Sequence, residues 1–165
     1  MKIRNGFVSN SSSSSFIIVV DKKDDKPCPH CGVKKPNIIE LLEMTNNYDN
    51  EIKDKKEIIA ELKENIERSK IEIESIEGLP DDYVIHSYPC TRVLDDGTHE
   101  KTESIYTAGQ KREYCSESMD KDNKLLNKIK SIKSPKEVYE IVISYHNEIL
   151  NDLVKTYEIL YESEY

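Results

Sequence analysis

Tryptophan is absent from this chain of 165 residues, and phenylalanine occurs only twice. A core built on Trp and Phe is therefore excluded, and ten tyrosines and many isoleucines must supply most of the bulk. Hydrophobic residues make up 36% against 34% charged, with a mean hydropathy of -0.69. That balance is lean for a fully compact globule and suits long, half-exposed helices. No apolar run approaches the roughly 18 residues that span a bilayer. The run Phe16-Ile-Ile-Val-Val20 is also too short for the h-region of a signal peptide. Excess positive charge is missing too. The formal net charge of -8 argues against wholesale wrapping by nucleic acid and favours solubility and a basic protein partner. These absences predict a cytoplasmic protein whose four cysteines stay reduced, so that metal binding outranks disulfides.

The charge that is present is unevenly spread. Residues 121–136 (KDNKLLNKIKSIKSPK) are basic, whereas 137–165 carry seven acidic residues against one lysine. Phe16 to Val20 reads as a strand covered on both faces, because five apolar residues follow one another without polar alternation. A charged loop at 21–26 follows, and residues 37–45 (NIIELLEMT) predict a short amphipathic helix. From Tyr48 to Glu77, Ile52, Lys55, Ile59, Leu62, Ile66, Ser69, Ile73 and Ile76 recur at spacings of three and four. That is the signature of a coiled-coil seam with two polar interruptions, on a helix of about 45 Å that Gly78 and Pro80 would stop.

Residues 83–94 and 98–107 predict two strands turning at Asp95-Asp96-Gly97. A loop through Gly109 and Cys115 would lead to a basic helix containing Leu125, Leu126, Ile129 and Ile132. Ser134-Pro-Lys-Glu137 reads as a capping box opening a final helix at about 135–162. Its face, Val138, Val142, Tyr145, Ile149, Leu153, Tyr157 and Leu160, would pack antiparallel on the 48–77 helix, or that helix would form an oligomer. The expected fold class is α+β: a small antiparallel sheet with a zinc knuckle, plus a long helical hairpin or coiled-coil-like arm. The expected organisation is a serine-rich arm at 1–15 followed by one domain at 16–165, with a helical insertion at about 37–77.

Cys28-Pro-His-Cys31-Gly32 is the most specific chemical signal. Two thiolates separated by two residues can turn around one ion, and Gly permits the tight backbone path. The motif resembles the knuckle of zinc ribbons and related zinc-binding domains, although no second Cys-x2-Cys follows. Cys28, Cys31, Cys90 and Cys115 are the candidate ligands of one structural Zn²⁺, with His86 or His99 able to replace one cysteine. Such a site would stabilise a small sheet, because metal affinity becomes folding free energy. The alternatives are unmetallated thiols with Cys90 and Cys115 in the core, or a redox pair, which lacks its βαβ context.

The serine tract Ser11 to Ser15 stands directly before the apolar run. It could form an anion nest, accept a modification, or be a flexible arm. The P-loop pattern is missing, since Gly6 stands alone and no Gly-Lys-Ser/Thr follows. The stretch Gly6-Phe-Val-Ser-Asn-Ser-Ser-Ser-Ser-Ser-Phe16 resembles a leader at the start of many otherwise dissimilar small proteins of phages and bacteria. The resemblance implies a phage-related origin and a bacterial host cell, with a processing, recognition or assembly role for the leader.

Catalytic constellations are scarce. His86, His99 and His146 have no nucleophile or carboxylate at a recognisable spacing. The leading expectation is a non-enzymatic, zinc-stabilised accessory protein acting by binding another protein. The alternative is a nucleic-acid-associated factor that uses the knuckle together with Lys124, Lys128, Lys130 and Lys133.

Overall fold

A computed structural model describes residues 13–21, 27–33, 37–45, 51–144 and 148–164. The elements run β1 (Ser13–Asp21), α1 (Ile38–Thr45), β2 (Glu51–Asp54), α2 (Lys55–Ser75), β3 (Val84–Val93), β4 (His99–Thr107), α3 (Ala108–Ser131), β5 (Lys136–Ser144), α4 (Glu148–Val154) and β6 (Glu158–Glu164). The architecture is mixed α+β with antiparallel sheets. No helix among the described residues is long and apolar enough to cross a membrane. The chain divides into two compact units, residues 1–61 with 125–165, and residues 62–124.

The first unit is built on a four-stranded sheet of order β2-β5-β1-β6. The apolar run does form a strand, and a central one. β1 pairs antiparallel with β5 on one side and β6 on the other, so it is buried from Ser14 to Val20. One face of β1 contributes Phe16, Ile18 and Val20 to a core with Ile141 and Ile143 of β5, Ile38 and Leu42 of α1, and Leu150 and Val154 of α4. Helix α1 forms where the sequence predicts it and is closed by a reciprocal cap. The Glu40 N–H donates to Asn37 Oδ1 at 2.8 Å, and the Asn37 N–H donates to Glu40 Oε2 at 3.1 Å.

Three expectations are corrected. The final helix at about 135–162 is instead strand, short helix and strand. Its 3.6-residue stripe is an accident of three elements in series, and the β-branched Val138, Ile141, Val142 and Ile143 suit a strand that buries both faces. The 48–77 helix begins only at Lys55, because Glu51–Asp54 pairs with β5, and 21 residues make about 32 Å rather than a long arm. The region of Gly109 and Cys115 is helical. Thr107 and Gln110 cap α3 reciprocally, which is a capping signal the sequence carries.

Ser13, Ser14 and Ser15 are strand residues rather than part of an arm. Ser15 is 1% exposed and its Oγ donates to Glu140 Oε1 at 2.8 Å. Glu140 pairs with Lys53 on the neighbouring strand, Nζ to Oε2 at 3.5 Å, and Lys53 also reaches Glu61 at 2.7 Å. The second face of the sheet is thus crossed by a polar row. Residues 1–12, which include the leader from Gly6 to Ser12, lie outside the described residues.

The second unit holds the rest of α2 and α3 and the β3–β4 hairpin. The predicted turn is present: Gly97 has φ 80°, and Asp96 Oδ1 accepts from the Thr98 N–H at 2.9 Å. The partner of α2 here is α3. Arg112 closes the end of α2 by donating to the carbonyls of Ile76 at 3.0 Å and Leu79 at 2.8 Å, and it pairs with Asp81 at 2.6 Å. Gly109 allows the close approach, since a Cβ there would meet Asp81 at 3.0 Å.

Candidate anion-binding cleft

Within the first unit, the entry to α2 and the exit of α3 meet β5 around a cleft of about 570 Å³. Asp54 sets the entry. Its carboxylate caps α2, accepting from the N–H groups of Lys56 at 2.7 Å and Glu57 at 2.9 Å. That cap turns Lys55 and Lys56 onto the cleft wall. From the other side come Lys130, Lys133 and Lys136, placed by the last turn of α3 and the first residues of β5. Ile59, Ile132, Val138 and Tyr139 make the apolar part of the lining.

The acids at the cleft are already engaged. Asp54 serves the helix, and Glu137 accepts from the Tyr139 hydroxyl at 2.8 Å. Burial, and then this carboxylate, push the Tyr139 phenol up to about 12. Among the cations, Lys55 donates to the Ile132 carbonyl and Lys136 pairs with Glu158 at 3.5 Å. Lys56, Lys130 and Lys133 are exposed and carry no ion pair among the described residues. Lys130, like Lys128, also sits favourably at the negative end of a helix, which accounts for part of its placement. The cleft can therefore offer three ammonium groups to an anion and apolar surface to whatever carries it.

Of the four lysines singled out by sequence, Lys130 and Lys133 reach this cleft. Lys128 belongs to the same unit but is not part of the lining, and Lys124 belongs to the second unit. Lys136, the last residue of the basic stretch 121–136, lines the cleft too, whereas Lys55 and Lys56 were missed. The signal was present as paired lysines after a capping aspartate, but it required knowing that two helix ends converge.

The cysteines are divided between the units. Cys28 and Cys31 lie in a tight turn of the first: the Gly32 N–H donates to the Cys28 carbonyl at 2.8 Å, the Cys28 N–H donates to the Val33 carbonyl at 3.0 Å, and Gly32 has φ 67°. This backbone fits the two-sulfur half of a structural metal site. Cys90 and Cys115 lie in the second unit. Cys115 is buried, with its Sγ 3.6 Å from Glu72 Oε2, and burial followed by that carboxylate pushes its thiol up. Among the described residues no three His, Cys, Asp or Glu side chains gather in a group that could hold a metal ion.

His86 stacks on Tyr88 at 6.1 Å and lies 5.1 Å from Tyr106, a hairpin-face cluster with no nucleophile in it. His99 begins β4 at the exposed end of the hairpin, and His146 lies outside the described residues. No family model, curated protein or solved structure matches the chain.

Proposed function

We propose that the chain is a non-enzymatic binding protein whose cleft takes a phosphate-bearing ligand, a nucleotide or the nucleotides of a single strand. The observation that carries this reading is the convergence of Lys56, Lys130 and Lys133, unpaired among the described residues, over Ile59, Ile132 and Tyr139. Lysines supply point charges for phosphate, and the apolar lining suits a base or sugar. The acidic total charge restricts such contact to this local patch. The test is a titration with labelled short single-stranded RNA and DNA, a mononucleotide, and inorganic phosphate. Affinity for the strands should fall severalfold between about 50 and 200 mM salt. It should drop at least about tenfold in the Lys130→Glu/Lys133→Glu double variant, while Lys124→Glu leaves it unchanged. Binding of the mononucleotide alone would narrow the ligand to nucleotides. Absence of binding at low salt would remove the proposal.

A structural Zn²⁺ held by Cys28 and Cys31 belongs to the same reading. Metal analysis after zinc-replete expression should give about one equivalent. Thiol titration should show Cys28 and Cys31 protected until a chelator is added. Zinc below about half an equivalent would discard it.

Protein binding is the second reading, and the hairpin of the second unit favours it. Tyr83, Val84, Tyr88, Val93 and Ile105 are all exposed on or beside a sheet of only two strands. A two-stranded sheet alone is marginal in water and gains most from a further strand.

A further inference from the structure

The hairpin has two outer edges, and they are not equivalent. Pro89 stands in the middle of β3, opposite Glu103. Proline is tolerated in a strand only where its nitrogen faces the open side, so the β3 edge lacks a donor at its centre. β4 carries no proline from His99 to Thr107, and its residues 99–103 are all exposed. Its edge is the one open to pairing.

The register fixes what that edge presents. With the Pro89 nitrogen turned outward, the opposing residue Glu103 also turns its backbone N–H and C=O outward, because both belong to a pair without mutual hydrogen bonds. The same parity holds for His99, Lys101 and Ile105. We infer that this edge pairs with the same edge of a second copy of the chain, antiparallel about a two-fold axis at Thr102, to make a four-stranded sheet.

The sequence of β4 is self-complementary in that arrangement. Lys101 of one copy falls opposite Glu103 of the other, twice by symmetry, and both lie on one face of the sheet. Both are also residues whose backbone groups point outward, so the charge pairs coincide with the new hydrogen-bonded pairs. Thr102 meets its own copy, and Glu100 meets Ser104. His99 falls opposite Ile105, which is 49% exposed in the single chain and pairs with Ser87 of β3. A strand pair of this length buries less than the roughly 1,200 Å² of a standard interface, so the association is weak and concentration-dependent.

This inference takes up the second reading above, commits it to one partner, and does not depend on the lysine cleft. Sedimentation equilibrium on the full chain from about 1 to 300 µM should show a monomer–dimer transition with a Kd in the micromolar range. Lys101→Glu alone and Glu103→Lys alone each place like charges opposite one another and should each weaken self-association at least about tenfold. An equimolar mixture of the two variants restores both pairs and should dimerise as the unmodified chain does. Circular dichroism of each variant should match the unmodified chain, since both positions are exposed. A chain monomeric throughout, variants that self-associate unimpaired, or a mixture that stays monomeric would overturn the proposal. Protein binding in general would survive a monomeric result if β4 were protected from hydrogen exchange by a different partner.

Discussion

β1 and β3 are strands of nearly equal length with opposite fates. β1 buries seven consecutive residues, whereas β3 has two half-buried positions and none buried. The difference lies in what flanks them. β1 has a hydrogen-bonded neighbour on each side and cover on both faces, so every residue of FIIVV finds an apolar or paired environment. β3 has one neighbour, and its mixed sequence, VIHSYPCTRV, puts apolar and polar residues on both faces. The first unit spends its hydrophobic residues on stability, and the second leaves several in solvent.

The sharpest way to break this comparison is to truncate one isoleucine in each strand system. Ile18 is 0% exposed, at the centre of the first unit's core. Ile18→Ala should cost about 3–4 kcal/mol in urea unfolding, combining lost transfer energy with a residual cavity. Ile105→Ala should cost less than about 0.5 kcal/mol, as an exposed site does. Equal losses would mean that the hairpin is covered in solution, for which the dimer is the first candidate.

A second contrast concerns polar groups. In the first unit the Ser15–Glu140–Lys53 row is largely withdrawn from water, with the Glu140 side chain 15% exposed. Glu140→Ala leaves Lys53 with only Glu61 and strands the Ser15 hydroxyl, which should cost about 2 kcal/mol. Ser15→Ala removes a single bond to a charged acceptor and should cost about 1 kcal/mol. In the second unit the exposed hairpin pair Arg92–Glu100 offers no such effect, and Glu100→Ala should lie within about 0.5 kcal/mol of the unmodified chain. If Ser15→Ala proved neutral, the serine tract would have no structural reason to reach as far as the strand.

Local signals carried much of this arrangement. The strand at 16–20, the helix after Asn37 and the Asp95-Asp96-Gly97 turn are each specified by neighbours in sequence. Two of the three corrections involve distant pairing, and the third, the helix over Gly109 and Cys115, rests on the local Thr107–Gln110 cap. Glu51–Asp54 becomes a strand because β5 lies beside it, and residues 136–144 become a strand because β1 and β2 offer edges on both sides. Ser134-Pro-Lys-Glu137 has the composition of a helix start, yet β-branched residues and two open ladders outweigh it. For the cleft, Lys130, Lys133 and Lys136 of the basic stretch were placed but Lys55 and Lys56 were not, because lysine spacing reports charge but not which helix ends converge. The Cys-x2-Cys turn was legible since its geometry is local. A zinc sphere shared with Cys90 and Cys115 is a matter of tertiary distance, which spacing does not contain.

The smallest expected effect separates two tyrosines at alkaline pH. Tyr139 in the first unit is pushed up to about 12 by burial and by Glu137, whereas Tyr106 in the second is raised chiefly by burial. A group raised in the folded state contributes stability that is complete below its unfolded value, near 10, and is lost as pH climbs toward the folded value. Lys53, held above its usual range by Glu61 and Glu140, acts in the same direction. The unmodified chain should therefore lose stability from about pH 10 upward. Tyr139→Phe should flatten that loss between about pH 10 and 11.5 by roughly 1 kcal/mol, discounted for partial exposure, leaving the slope due to Lys53. Tyr106→Phe should flatten it less. If the two variants changed the slope equally, the phenol next to Glu137 would be no better shielded than one on the open hairpin, and the contrast between the units would not extend to the edge of the cleft.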